Sequence, residues 1–548
     1  MAESFSSSEQ EILQRFCTNA DKPIFGLMNL PEVVMGALFS RYSRSSKSLR
    51  RLLLDEFINN PEAGFEQIVA TGSGMGLSQI VATQKAEEFY ERVLVGYGDD
   101  SVAELGGAHL AIEDVSIVMT KAIEDSRIGL SPLEKSTRYV YFNQKVDGRY
   151  SYALEPDIMA GNNADDYVKA CDTLFDTYSS LIDPMSKYAM EKFPMEEGVS
   201  ERAYKSSIRA KVCDVLRCLL PASTQTNMGL YGNGRAFEYM LLKLYASDLA
   251  EGRQIASSGQ AELSKIIPSF VKRANDKYGL AGQQYFKNTR KGAKGEVEKQ
   301  LASLGASPPE TQNESVVLVS FDRDANDKVI AAIIFENTDF SLGEAELVAA
   351  RLSAAAKESI ISAYIGNREN RRQKPYRAFE AVDYTFGLVG NFGMYRDLHR
   401  HRLLTQVRQP LSTRLGFEMP PELVEAGFDS KAREAVDNAA AVYSRLAASM
   451  PQQAQYVVPM GFRLQWYMKM NLREAYHFIE LRSMVQGHID YRRMAQNMCL
   501  KIKDAHPVLA SGMKFVDMSG SAPSGLERLE AEKKIDKKLA DIKKKYGH

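Results

Sequence analysis

Two short patterns return along this chain at one interval. Ser136-Thr137-Arg138 reappears as Ser412-Thr413-Arg414, and Glu104 has a counterpart in Glu380, both 276 residues further on. A third block keeps the order. Pro221, followed twelve residues later by Asn233-Gly234-Arg235, resembles Pro459, followed twelve residues later by Asn471-Leu472-Arg473, at an interval of 238. A repeat this long predicts two similar domains rather than a solenoid, whose periods run ~20–50 residues. The 548 residues leave room for that, because domains usually take roughly 100–200 residues each.

The stretch from Arg290 to Ser315 contains KGAKGEVEKQ and GASPPETQNES. It is charged, carries Gly and Pro, has no apolar periodicity, and reads as a linker. The expected division is 1–289, a linker at 290–314, a second domain at 315–518, and a charged tail at 519–548. The tail's end, LERLEAEKKIDKKLADIKKKY, reads as a solvated helix. Glu314–Phe321 and Lys328–Phe335 are β-rich runs separated by Asp324-Ala325-Asn326-Asp327, a predicted hairpin. Glu344–Ser362 and Leu472–Leu500 have helical apolar spacing. Arg473 and His477 then share one helix face. Each domain reads as α+β.

Between positions 396 and 414 lie Arg396, Arg400, Arg402, Arg408 and Arg414, with His399 and His401, against one acid, Asp397. Guanidinium forks bind phosphate bidentately. The stretch is a candidate pocket for a phosphorylated ligand; the alternative is a solvated basic helix face. A formal net charge of -1 argues against broad nucleic-acid binding. Five cysteines without a CxxC pair suit a reducing compartment. The N-terminal MAESFSSSEQ has no signal-peptide pattern, and no apolar run has membrane-spanning length, so a cytoplasmic protein is expected. No His/Cys cluster has zinc spacing, so no metal is predicted. Gly72-Ser73-Gly74-Met75-Gly76 lacks the GK[ST] ending of a phosphate loop and reads as a flexible turn.

The segment Glu380 to Arg402, EAVDYTFGLVGNFGMYRDLHRHR, resembles the flavin-dependent thymidylate synthases, whose signature joins a glutamate, an aromatic-rich strand and RHR. Asn471-Leu-Arg473-Glu-Ala-Tyr-His477-Phe-Ile-Glu-Leu-Arg482 is similar to that family's NxR…LR helix. His488-Ile-Asp490-Tyr-Arg492 sits where the family has a Gln-aromatic-Glu-x-Arg pattern. In the first half, Ser101-Val-Ala-Glu104 and Glu134-Lys-Ser136-Thr-Arg138-Tyr139 look like its SxxE and ExSxRY. The two halves are complementary. Arg400-His401-Arg402 corresponds to Glu124-Asp125-Ser126, Glu134 to Pro410, Arg217 to Gln455, Arg482 to Leu244, His477 to Tyr239 and Ser101 to Arg377. The spacing from RHR to Ser412 is two residues longer than the family's.

The resemblance implies two tandem copies of the flavin-dependent thymidylate synthase fold forming a pseudo-dimer. It implies FAD-dependent reductive methylation of dUMP to dTMP with NADPH and methylenetetrahydrofolate, at a composite site between the halves. Family members are homotetramers, so a homodimer of this chain would mimic one. Arg400, His401, Arg402, Asn471, Arg473 and His477 would hold FAD, with Ser101 and Glu134 from the first half. Arg482 would polarise the uracil. Ser136, Arg138, Arg217, His399 and Arg414 would bind dUMP. Asp397, where the family usually has glutamine, would put a carboxylate beside an anionic nucleotide. Plainer roles stay open: His477 as a helix-packing residue, His488 as a pocket wall, Arg217 as a buried ion-pair arginine, Ser136 and Ser412 as caps. So do two other functions, a flavin-binding relative acting on another pyrimidine nucleotide and a non-catalytic scaffold.

Overall fold

The computed structural model describes residues 4–59, 102–308, 315–520, 522 and 524–546. Ser101 and Gly72–Gly76 lie outside the described residues. The described residues hold nine strands: β1 (Gly107–Ser116), β2 (Leu130–Glu134), β3 (Lys145–Val146), β4 (Arg149–Tyr150), β5 (Gln225–Asn233), β6 (Val316–Phe321), β7 (Asp383–Asn391), β8 (Thr405–Arg408) and β9 (Arg463–Asn471). They are interleaved with helices, so the class is mixed helix and sheet. No described helix is long and apolar enough to cross a membrane.

The chain forms two compact units. One comprises residues 1–115, 122–134 and 227–307; the other comprises 116–121, 135–226 and 308–548. The first unit carries most of a three-stranded sheet in the order β1-β5-β2. The helix Gly234–Tyr245 follows β5 directly, capped by Asn233, whose side chain accepts from the Ala236 N–H. The helix Lys277–Leu304 runs through most of the stretch read from sequence as a linker. Its Lys and Glu residues favour helix, and Lys294–Glu298 is an i,i+4 ion pair at 3.7 Å. The helix stops at Gly305, whose φ of 59° is left-handed, a conformation glycine adopts without Cβ strain.

The second unit is built on a four-stranded antiparallel sheet, β6-β7-β9-β8. β9 alternates buried and open positions, so Leu464, Trp466, Met468 and Met470 face the core. Asn471 caps the following helix, Leu472–Arg482, by accepting from the Glu474 N–H. Asn233 and Asn471 thus do the same local work at the interval of 238. The helix Ile489–Ala505 packs on β6 and on the short helix Phe392–Leu398. The helices Ala164–Lys192, Glu201–Leu216 and Asp429–Ala447 pack together in the same unit.

Several expected elements differ. The run Lys328–Phe335 is not the second arm of a hairpin but part of a helix, Ala325–Asn337. Its Val and Ile residues suggested strand, but Val329, Ile330 and Ala331 are buried, and the helix packs against helices Leu342–Arg351 and Ala354–Ile365. Tertiary packing overrides β-propensity there. The predicted helix 344–362 is these last two, broken at Leu352 and Ser353, where Ser353 caps the second. The predicted helix 472–500 is likewise two, divided at residues 483–488. The tail helix Leu529–Tyr546 forms, but its start packs on helix Glu201–Leu216 rather than standing in solvent. Arg202 reaches Asp536 at 2.5 Å and Glu532 at 2.9 Å.

Within the second unit the segments around Pro221 and Pro459 meet as an antiparallel bridge. Their hydrogen bonds are reciprocal. Ala222 donates to Val458 and Ser223 to Tyr456, while Met460 donates to Leu220 and Gly461 to Cys218. Exchanging each residue for its counterpart 238 positions away maps the first pair of bonds onto the second. This is the pattern of a self-complementary two-fold interface.

Candidate active site

The constellation lies in the second unit, and residues from both sides of the 290–314 stretch build it. The loop after β2 brings Ser136, Thr137 and Arg138. Helix Glu201–Leu216 brings Asp214, and the turn after it Arg217. From the later part, helix Phe392–Leu398 supplies Arg396 and Asp397, and the next loop His399 to Arg402. Helix Leu472–Arg482 supplies Glu474, His477 and Arg482, and helix Ile489–Ala505 supplies Tyr491.

Arg138 is buried. Its Nε and Nη2 each donate to Asp214 at 2.7 Å, and its Nη1 donates to the Tyr491 hydroxyl at 3.2 Å. Ser136 Oγ accepts the Arg138 backbone N–H at 3.2 Å, a local turn contact. Thr137 Oγ1 accepts from Arg396 Nη1 at 3.1 Å. Arg217 donates from Nη1 to Asp397 at 2.9 Å, and its buried Nη2 has no partner among the described residues. The buried ion-pair role left open for Arg217 is therefore what the geometry shows. Helix N-terminal Gly393 makes room for it: a Cβ there would fall 3.2 Å from Arg217 Nε.

Burial raises the carboxyls of both Asp214 and Asp397, and the surrounding cations more than reverse this. Arg138 holds Asp214 below the ordinary range, and Arg217 with Arg138 holds Asp397 well below it. Both acids are anions at neutral pH. A cavity of about 530 Å³ adjoins this network, lined by Arg217, Asp214, His488, Asp490, Glu418 and Asn391 among others. His488 caps helix Ile489–Ala505 through Nδ1, so its Nε2 carries the proton, directed at the Asp214 carbonyl 3.4 Å away. Burial, then the neighbouring Asp490, raises the Glu418 carboxyl. The Asn391 amide donates to Glu418 at 2.7 Å and to Asp490 at 2.8 Å.

His401 is buried between two partners. Arg482 Nε donates to its Nε2 at 2.9 Å, and its Nδ1 lies 3.1 Å from Glu474 Oε1. A guanidinium only donates, so Nε2 accepts and Nδ1 carries the proton toward Glu474. Burial, then the charges of Arg482 and Lys374, push His401 well below the ordinary histidine value, so the ring is neutral. Burial also lowers His477 to about 4 and raises Glu474. No carboxylate pairs with Arg482 among the described residues, and its Nη groups make no hydrogen bond there. Its Cζ lies 5.9 Å from the Tyr491 ring centroid.

Other expected residues have mixed placements. Arg400, Arg402 and Arg414 are exposed, and His399 is buried with its ring 5.1 Å from Tyr395. Asn471 spends its oxygen on the helix cap. Arg473 is held by the Pro375 carbonyl at 2.8 Å and Glu380 at 3.3 Å. Glu134 ends β2, buried, in the first unit. Asp214, Tyr491 and Glu474 escaped sequence reasoning. Glu474 adjoins Arg473, and Asp214 lies three residues before Arg217, so helical proximity was a usable signal.

His401, Glu474 and His477 offer ligand atoms within 4.8 Å of one another, a grouping that spacing along the chain did not reveal. Both nitrogens of His401 are engaged, one of them by a guanidinium, and Lys374 and Arg371 add positive charge nearby. That environment opposes a cation and suits an anion or an electron-rich ring.

The sequence model of the Thy1 family, described as thymidylate synthase complementing protein, matches residues 56–269 and 318–508. A UPF0159 protein of Chlamydia muridarum is 42% identical over 528 residues, 96% of this chain and 98% of its own. UPF0159 protein Ta1429 of Thermoplasma acidophilum is 35% identical over 537 residues, 92% of this chain and 99% of its own. A flavin-dependent thymidylate synthase of Saccharolobus solfataricus is 35% identical over 89 residues, 16% of this chain and 32% of its own. The solved UMP/dUMP methylase PolB from Streptomyces cacaoi, bound with 5-Br dUMP, aligns over 38% of this chain and 97% of its own, with 17% identity and a TM-score of 0.30. That likeness is too slight to argue from.

Proposed function

Because the chain belongs to the Thy1 family of thymidylate synthase complementing proteins, we propose that it is a flavin-dependent thymidylate synthase. In this reading it methylates dUMP reductively to dTMP with methylenetetrahydrofolate and NADPH, and FAD is the bound cofactor. The observation that carries the reading is Tyr491. Arg138 of the earlier half donates to its hydroxyl, and Arg482 of the later half stands 5.9 Å from its ring. The two motifs that the family resemblance assigns to nucleotide and uracil therefore share one place.

The donor set fits the cofactor. Exposed Arg400 and Arg402, the uncommitted Nη face of Arg482 and a neutral His401 would meet its phosphates and ring, with His477 beside them. When bound, FAD supplies electron transfer and carriage of the one-carbon unit. The chain's own residues bind and polarise. Arg482 places a fixed cation where negative charge develops on the uracil, a preorganised contribution of the kind worth ~10²–10³ in rate. Its Nε bond to His401 fixes the guanidinium plane, and Glu474 fixes the tautomer of His401. Arg138 and Arg217 would take the phosphate end. Asp214 holds the Arg138 fork still, and Ser136 holds its backbone.

The reciprocal bonds around Pro221 and Pro459, the matched asparagine caps and the two stretches matched by one family model support a tandem duplication. In this reading the domains are 1–289 and 315–518, each copy keeps part of the set, and two chains assemble to mimic a tetramer. The test is direct. Purified protein should carry a flavin absorption spectrum and release tritium from dUMP labelled at C5 when given NADPH and methylenetetrahydrofolate. A flavin-loaded sample that releases none defeats the thymidylate reading and leaves another pyrimidine nucleotide as substrate. A sample that takes no flavin leaves the scaffold.

A further inference from the structure

The two arginines at the end of the site assigned to a phosphate are already paired. Arg138 and Arg217 bring two positive charges, and Asp214 and Asp397 cancel them through contacts of 2.7–2.9 Å. A phosphate monoester carries roughly -1.5 to -2 at neutral pH. It cannot enter a neutral, largely buried pair of ion pairs without repelling the acids. One acid is better placed to yield. Asp214 is gripped by two bonds from one guanidinium, and its side chain is 9% exposed. Among the described residues Asp397 accepts one side-chain hydrogen bond, from Arg217, and is 17% exposed. Arg217 has a second donor, Nη2, buried and without a partner among the described residues, as a fork would that grips half of an anion larger than the one present.

We propose that Asp397 is the resident occupant of the phosphate subsite: its carboxylate stands on Arg217 in place of the ligand, and a nucleotide monophosphate binds there by displacing it. Asp397 is thereby a specificity-determining residue for charge. It weakens the advantage a nucleotide holds over its uncharged nucleoside, and it keeps Arg217 folded and oriented while the site is empty. The inference rests on the reading that this site takes dUMP.

The test is calorimetric binding of dUMP, deoxyuridine and inorganic phosphate to the full chain, wild type and Asp397→Asn. The variant frees one charge-assisted bond on Arg217, so it should bind dUMP at least about tenfold tighter and deoxyuridine within about twofold of wild type. Inorganic phosphate should raise the variant's thermal midpoint more than the wild type's, because phosphate restores the lost partner of a buried arginine. A merely structural Asp397 would move all ligands together. Should the Asn variant fail to fold, Asp397→Gln, which keeps an acceptor for Arg217 without charge, gives the same reading. Unchanged or weaker dUMP binding in a folded variant, beside a wild type that binds dUMP, overturns this inference alone. A wild type that binds no dUMP overturns it together with the proposed function.

Discussion

Replacing Arg138 by methionine separates what that residue does for the fold from what it does for a ligand. The side chain is 7% exposed, and both its bonds to Asp214, itself 9% exposed, are 2.7 Å long. Methionine keeps the volume and removes the charge, which leaves Asp214 as a buried anion with Arg217 as its remaining cationic neighbour. Breaking a buried pair from one side costs about 3–5 kcal/mol, whereas removing both partners together is often near neutral. Arg138→Met should therefore lose about 3–5 kcal/mol, and Arg138→Met/Asp214→Leu should recover to within about 1–2 kcal/mol of wild type. The chain has one tryptophan. Trp466 is buried on β9 of the same unit, 5.4 Å from the Tyr395 ring, so its emission in urea titrations reports on this unit. Turnover should be lost in both variants. A single variant as stable as wild type, or a double variant that regains turnover with stability, would refute the argument.

Arg482→Ala should cost about 10²–10³ in tritium release while the protein still folds, because the lost partner, His401, is neutral; activity within a few-fold of wild type would remove Arg482 from the chemistry. Below pH 6.5 stability should fall. Buried His401 stays neutral in the fold, so the unfolded chain takes up a proton the folded one refuses, at up to about 1.4 kcal/mol per pH unit. His477 acts in the same sense from about 6.5 to about 4, and Glu474, with its raised carboxyl, opposes them. Urea midpoints measured from pH 7.5 to 5 test this, and His401→Asn should flatten the profile. Glu480→Gln should destabilise by about 3–5 kcal/mol, since Glu480 is fully buried against Arg368 at 2.6 and 2.7 Å; a change under about 1 kcal/mol would contradict that.

What was legible in the sequence was local. Proline-to-asparagine spacing survives in both halves because each asparagine caps the helix that follows its strand, a job set within three residues. The RHR stretch announced itself by charge, Arg473 with His477 by helical spacing, and Arg482 through the family resemblance. What was hidden was set by distant partners. Asp214 meets Arg138 across 76 residues, and Arg138 meets Tyr491 across 353. The run Lys328–Phe335 looked like strand by composition because β-branched residues fit either a sheet or a buried helix, and only its neighbours decide. Glycine and charge suggested a linker at 290–314, yet Gly292 and Gly295 cost only ~1 kcal/mol each, which the flanking helix formers offset as far as Leu304. Asp397 was visible as an acid among arginines. Its partner was not, and without Arg217 beside it the residue looked merely out of place.

The most direct measurement is a crystal structure of the full chain soaked with FAD and dUMP. The account predicts one nucleotide touching Arg138 or Arg217 from the earlier half and Arg482 from the later half, with flavin beside His401. A nucleotide contacted by residues of one half alone, with Arg482 facing solvent, would contradict it.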